Sequence, residues 1–234
     1  MLTKHNPVAG VGDRITYVDF EEQLGDESAG CAADIRPGRP LVVAFGGIKG
    51  GLDMPPFEFF GMLSELDASK VFLRDLDQVW YQKGVRGIGG IESVTRYLED
   101  INAQQMLLVG NSAGAFGALL FGSLLHRGRV LAFSPQTFLG RAQRLQAGDF
   151  RWRKQVANLH RISGATLDLL DIGPVSGEVH YSVDHRLDKM HAERISDIPG
   201  LSVVGHHDTD HELVRVLKQS GQLKTLLLNG VMAQ

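Results

Sequence analysis

MLLVGNSAGAFGALLFGSLL, residues 106–125, is the stretch on which the reading of this chain turns. Met106, Leu107, Leu108 and Val109 form an apolar run suited to a strand covered on both faces. Gly110-Asn111-Ser112-Ala113-Gly114 follows, a G-x-S-x-G pentapeptide, and after it a small-residue helix over 115–125. The pentapeptide alone is common. Between a buried strand and a helix it is the setting of a nucleophile elbow, a strained turn that presents a serine hydroxyl. Gly110 and Gly114 leave room around that turn because neither carries a Cβ. Ala115, Gly117 and Ala118 let the helix pack close to the sheet.

Outward from this stretch the elements alternate. On the N-terminal side, residues 90–102 predict an amphipathic helix, with Ile91, Val94, Leu98 and Ile101 on one face. Residues 70–74 and 41–45 read as strands, the second ending in Gly46-Gly47, and 58–66 as a helix. Residues 14–20 suit an early strand, and 21–40 turns with a short strand. On the C-terminal side, 129–133, 177–183 and 201–205 read as strands, and 212–219 as a helix before a hydrophobic end segment. This alternation predicts an α/β fold: a mostly parallel central sheet flanked by helices on both faces, in a single domain over 1–234. The pattern breaks over 139–170. The first part of that segment is basic, with Arg141, Arg144, Arg151, Arg153, Lys154 and Arg161 against Asp149. We read it as a small helical cap insertion lying between two strands.

With 234 residues, the chain is long enough for one sizeable core. A formal net charge of −3 gives no field that invites nucleic acid or an anionic membrane. Cys31 is the single cysteine, so no intrachain disulfide forms. The first residues lack the apolar core of a signal peptide, and no apolar run reaches the ~18 residues of a membrane span. The expectation is a cytoplasmic protein.

A serine hydroxyl needs a base to take its proton and a third group to hold the base. In this setting the partners follow in the order serine, acid, histidine. They are sought after later strands, because ligands gather at the carboxyl ends of parallel strands. After strand 201–205 comes His206-His207-Asp208-Thr209-Asp210-His211. His206 and His207 lie at the strand end and suit packing or backbone contacts. His211 opens the last helix on a loop free to lean toward Ser112, and is the expected base. Asp210 suits a helix N-cap. After strand 177–183, Asp184 is the expected acid and Asp188 the alternate, since Asp188 also suits a helix N-cap. For the oxyanion hole, the amide of Ala113 is one expected donor. Gly47 is the other, with Ile48 as its alternative. Trp80 and Tyr81 are candidates for the substrate pocket, or else half-buried aromatics that staple a loop.

These features together resemble the α/β-hydrolase superfamily. The likeness rests on the Phe45-Gly46-Gly47 turn, the elbow at 110–114, Asp184 after a late strand and His211 before the last helix. More narrowly, the chain is similar to small bacterial hydrolases with an F-x-R-D segment (72–75), W-Y-x-x-G (80–84) and F-S-P-Q (133–136). The resemblance implies ester or thioester chemistry on a small-molecule acyl substrate, with no cofactor and no metal. The elbow departs from many relatives in carrying the small Ala113 after the serine. Three rivals stand beside this reading. One is an acyltransferase with the same three residues. Another is a metal enzyme on the His206, His207, Asp208, Asp210 and His211 cluster. The third is a non-catalytic binding module.

Overall fold

The computed structural model describes residues 5–8, 16–48 and 57–232. Its main sheet has seven strands: β3 (Cys31–Asp34), β4 (Leu41–Phe45), β5 (Ser69–Leu73), β6 (Met106–Asn111), β7 (Arg129–Phe133), β8 (Gly177–Ser182) and β9 (Leu201–His206). Their spatial order is β3-β5-β4-β6-β7-β8-β9. Only β3 runs antiparallel to its neighbour; the other pairings are parallel. A separate antiparallel pair joins β1 (His5–Val8) to β2 (Thr16–Asp19). Residues 14 and 15 of the expected early strand lie outside the described residues.

The central strands are apolar without alternation because both faces are covered. Val43, Phe45 and Leu108 point into one core, and Val42, Ala44, Leu107 and Val109 into the other. Helix α3 (Ile91–Asp100) sends Val94 and Leu98 into the first core. Helices α2 (Phe60–Leu63), α8 (Leu213–Gln219) and α9 (Gln222–Met232) cover the second. α2 is shorter than the expected helix over 58–66. The segment read as turns also contains a helix, α1 (Phe20–Gly25).

Helix α4 (Ala113–Leu125) is buried almost all round; of its residues only Leu124 is exposed. A helix so enclosed must come very near its neighbours, and glycine allows it. A Cβ on Gly114 would strike the Phe45 carbonyl, and one on Gly110 would strike the Gly114 carbonyl. Gly117 faces the Tyr81 ring in the same way.

Residues 139–170 hold α5 (Arg141–Ala147), α6 (Arg153–Leu159) and a 3-10 turn at Leu169–Asp171. Helix α7 (Arg186–Arg194) follows β8. Since β4 to β9 are parallel, the segments after β6, β8 and β9 leave from one edge of the sheet. That edge collects Ser112, the 183–188 turn and the 206–211 loop.

Candidate active site

Ser112 stands between β6 and α4 with φ 54° and ψ −114°, a conformation that side-chain-bearing residues rarely adopt. Its amide donates to the Phe133 carbonyl at 2.9 Å, and its carbonyl accepts from the Phe116 amide at 3.3 Å. Neighbours on both sides thus hold a turn that local sterics oppose. Ala113 opens α4, where the first amides have no carbonyl of their own helix to bond.

His211 Nδ1 lies 2.9 Å from both carboxylate oxygens of Asp188. Asp188 is fully buried, whereas about a third of the His211 side chain is exposed. Burial raises the Asp188 carboxyl. The His211 hydrogen bond and the charges of His211, His185 and Arg151 outweigh it and hold the group below the usual carboxylate range. Asp184 is placed differently: it is exposed and accepts the Asp208 amide at 2.8 Å, tying two surface turns together. The phase of α7 decides this. Asp188, His191, Ala192 and Ile195 recur at helical spacing and all point inward. The cap of α7 is His185, whose Nδ1 accepts the Asp188 amide at 3.3 Å. Asp188 is therefore not the N-cap the residue type suggested. The signal available in the sequence was the carboxylate on that inward stripe.

The competing histidines are accounted for. His206 Nε2 sits 3.0 Å from His180 Nδ1, and His180 Nε2 sits 3.1 Å from Glu178. Burial pushes the His180 imidazole down to about 4. His207 is exposed. Asp210 accepts the Glu212 amide at 2.7 Å, one turn ahead of α8, whose cap is Glu212.

The basic residues of 139–170 divide. Arg141, Arg153, Lys154 and Arg161 are exposed, but Arg144 and Arg151 turn inward onto the buried Asp149. His191 joins them, with Nε2 3.2 Å from Asp149 and Nδ1 accepting the Thr137 amide at 2.9 Å. Arg151 also reaches Asp188 Oδ1 at 3.3 Å. This ion cluster therefore links the segment over 139–170 to the carboxylate beneath His211.

Trp80 and Tyr81 are both fully buried, with φ of 53° and 62°. Trp80 Nε1 donates to Gln136 Oε1 at 2.9 Å. Tyr81 Oη donates to the carbonyls of Gly46 at 2.8 Å and Leu73 at 3.0 Å. Asp75 accepts the Val79 amide at 2.6 Å and the Tyr81 amide at 2.9 Å. Neither ring presents surface to solvent. Both fasten the loop over 75–84, and Tyr81 also braces the turn that carries Gly47.

Gly47 has a neighbour that motif reading missed. A Cβ there would lie 3.2 Å from the Asn111 carbonyl and 3.2 Å from Glu58 Oε1. Burial pushes the Glu58 carboxyl up to about 7, opposed by the hydrogen bond it accepts from the Gly47 backbone. No motif marks Glu58; only its arrival at this turn does. A carboxyl raised in the native state favours folding in its protonated form. The stability it supports is full below pH 4.5, the ordinary value, and is lost as pH rises toward about 7. Glu58→Gln should remove this dependence. Its stability relative to wild type should rise by about 3 kcal/mol across that window, read by urea unfolding at pH 4.5 and pH 8. A difference that stays constant with pH would refute the assignment.

Comparison with known proteins adds to this geometry. No family model and no curated protein matches the sequence. Solved structures do match in shape. A capsule O-acetyltransferase of Neisseria meningitidis serogroup A superposes with a TM-score of 0.59 at 15% identity, over 86% of this chain and 92% of that one. An esterase from Pyrobaculum calidifontis does so with a TM-score of 0.58 at 13% identity, over 87% and 80%. The chain has the α/β-hydrolase fold. It also superposes on the Gap123 glycosylation-associated complex of Streptococcus agalactiae, with a TM-score of 0.53 at 17% identity. There the match takes in 83% of this chain but spans only 42% of the other. Among the described residues, no helix of this α/β-hydrolase-fold chain is long and apolar enough to cross a membrane.

Proposed function

We propose that this protein is a serine hydrolase that cleaves a carboxylic ester or thioester of a small molecule through a Ser112 acyl-enzyme. His211 is the base and Asp188, rather than Asp184, is the acid that holds it. The observation that carries the reading is the His211–Asp188 pair at 2.9 Å, on the same sheet edge as the strained Ser112 turn. The buried carboxylate accepts Nδ1–H of His211, so the free lone pair sits on Nε2. Ser112 Oγ attacks the acyl carbon as its proton passes to Nε2. The leaving alcohol or thiol takes that proton, and water repeats the sequence in reverse to release the acid. The Ala113 amide stabilises the developing oxyanion. The second donor comes from Gly47 once the oxyanion replaces Glu58 there, or from the adjoining amide of Ile48. In this reading Trp80 and Tyr81 support the site from beneath it. The inserted segment contributes Arg151, which reaches the triad carboxylate.

A second reading keeps the triad and gives the acyl group to an alcohol. The similarity in shape to a capsule O-acetyltransferase favours it. One experiment tests both. Fluorophosphonate labelling and a panel of nitrophenyl esters, acyl thioesters and acetylated sugars are run on wild type and Ser112→Ala, with and without added sugar acceptors. Labelling confined to Ser112, with release of free acid, supports hydrolysis. Acylated acceptor in its place supports transfer. Absence of labelling in folded protein refutes both.

A further inference from the structure

Asp188 has a second imidazole beside it. His185 Nδ1 lies 3.0 Å from Asp188 Oδ1, the same oxygen that His211 Nδ1 approaches at 2.9 Å. The two rings face each other with centroids 5.5 Å apart, tilted by 41°. One donor atom from each of His185, Asp188 and His211 falls within 4.8 Å of the others. The side chains of His185 and His211 are 31% and 34% exposed, so an ion can enter from solvent. Capping of α7 uses the same Nδ1, which accepts the Asp188 amide at 3.3 Å, so an ion bound there takes that lone pair in place of the cap bond.

We propose that His185, Asp188 and His211 form a site for a divalent borderline metal ion such as Zn²⁺, and that its occupation switches the enzyme off. Two imidazoles and one carboxylate are a donor set suited to Zn²⁺. Tetrahedral ligands at ~2.0–2.1 Å stand about 3.3 Å apart. The two histidine–carboxylate pairs are at 2.9 and 3.0 Å and the two imidazole donors lie within 4.8 Å of each other, so the ion is admitted by a small opening of the first two pairs and an adjustment of the half-exposed rings. The opposing charge is the Arg151 guanidinium, 3.3 Å from Asp188, but Arg151 is itself paired with Asp149. Solvent supplies the fourth ligand.

Occupation stops catalysis by a shift of tautomer. A neutral His211 bound through Nδ1 carries its proton on Nε2, and the nitrogen that must receive the Ser112 proton is then blocked. No proton is gained or lost; it changes ring nitrogen. The consequence for turnover rests on the hydrolase reading above, whereas the binding itself does not.

Co²⁺ serves as the spectroscopic probe on the full chain. Wild type should develop visible absorption typical of a tetrahedral ion, and equimolar Zn²⁺ should abolish it. His185→Ser keeps a capping acceptor for α7 but cannot reach the ion. It should bind Co²⁺ at least about tenfold more weakly, with Asp184→Ser as an unaffected control. Zn²⁺ should slow fluorophosphonate labelling of wild type by at least tenfold and spare His185→Ser. No absorption change, binding that survives in folded His185→Ser, or full labelling of metal-loaded protein each overturns the proposal. Absent labelling without any metal, with Co²⁺ binding retained, instead strikes the hydrolase reading and leaves the metal site supported. His185→Asn, a second capping variant, is measured if the serine form melts early.

Discussion

Ser112→Ala lowers ester turnover by about 10⁴–10⁶-fold, while the protein keeps its circular dichroism spectrum and melting temperature close to wild type. The size follows from losing the nucleophile outright; what survives is binding and oxyanion stabilisation. The small effect on stability has a backbone reason. Alanine and serine share a Cβ, so both endure φ 54° at this turn to the same degree. Ser112→Gly is the complement. It is equally inactive but relieves the strain, and it melts no lower than wild type despite glycine's greater freedom in the unfolded chain. Steady-state kinetics and thermal unfolding on the three proteins check this. Ester cleavage retained in Ser112→Ala would remove the acyl-enzyme.

Asp188→Asn lowers kcat/KM by about 10³–10⁴-fold, and Asp184→Asn changes it by less than about threefold. The contrast is sharp because the two carboxylates do different things. Asp188 is buried and receives Nδ1 of His211 at 2.9 Å. An amide there can offer its N–H₂ to the ring, which promotes the wrong tautomer. Asp184 is an exposed acceptor for one amide of a surface turn. The variants also differ in acid. The neighbours of Asp188 hold it below the ordinary 3.8, so it stabilises the fold above that value and the stabilisation is lost as pH falls through the native one. Asp188→Asn lacks this acid-sensitive contribution. In unfolding measurements carried from pH 6 downward, the gap to wild type should therefore hold above 3.8 and narrow as pH falls below it. Equal losses of activity in the two variants would return the choice of acid to Asp184.

Much of the fold was legible in residue patterns. Uninterrupted apolar runs at 41–45, 106–109 and 129–133 announce strands covered on both faces, and alternation with helices makes them parallel. The turn at Ser112 was legible too, because a strained φ flanked by two glycines is a local steric matter. The site was only partly legible. Cap preference favoured Asp184, but the docking of α7 turns Asp188 inward. Trp80 and Tyr81 looked available for a pocket, and the structure shows both fully buried and bonded to Gln136 and Gly46. Glu58 carried no motif.

By itself, the order of residues in this chain determined where the central strands fall and which serine is forced into a tight bend. These outcomes depend on neighbours a few positions away, through excluded volume and the period of buried side chains. Only the packed molecule decided which carboxylate lies under His211, which arginine reaches that carboxylate, and which acid meets Gly47. Those partners stand 23, 37 and 11 positions apart in the chain. Their meeting depends on how whole elements settle against the sheet, which no short window of residues encodes.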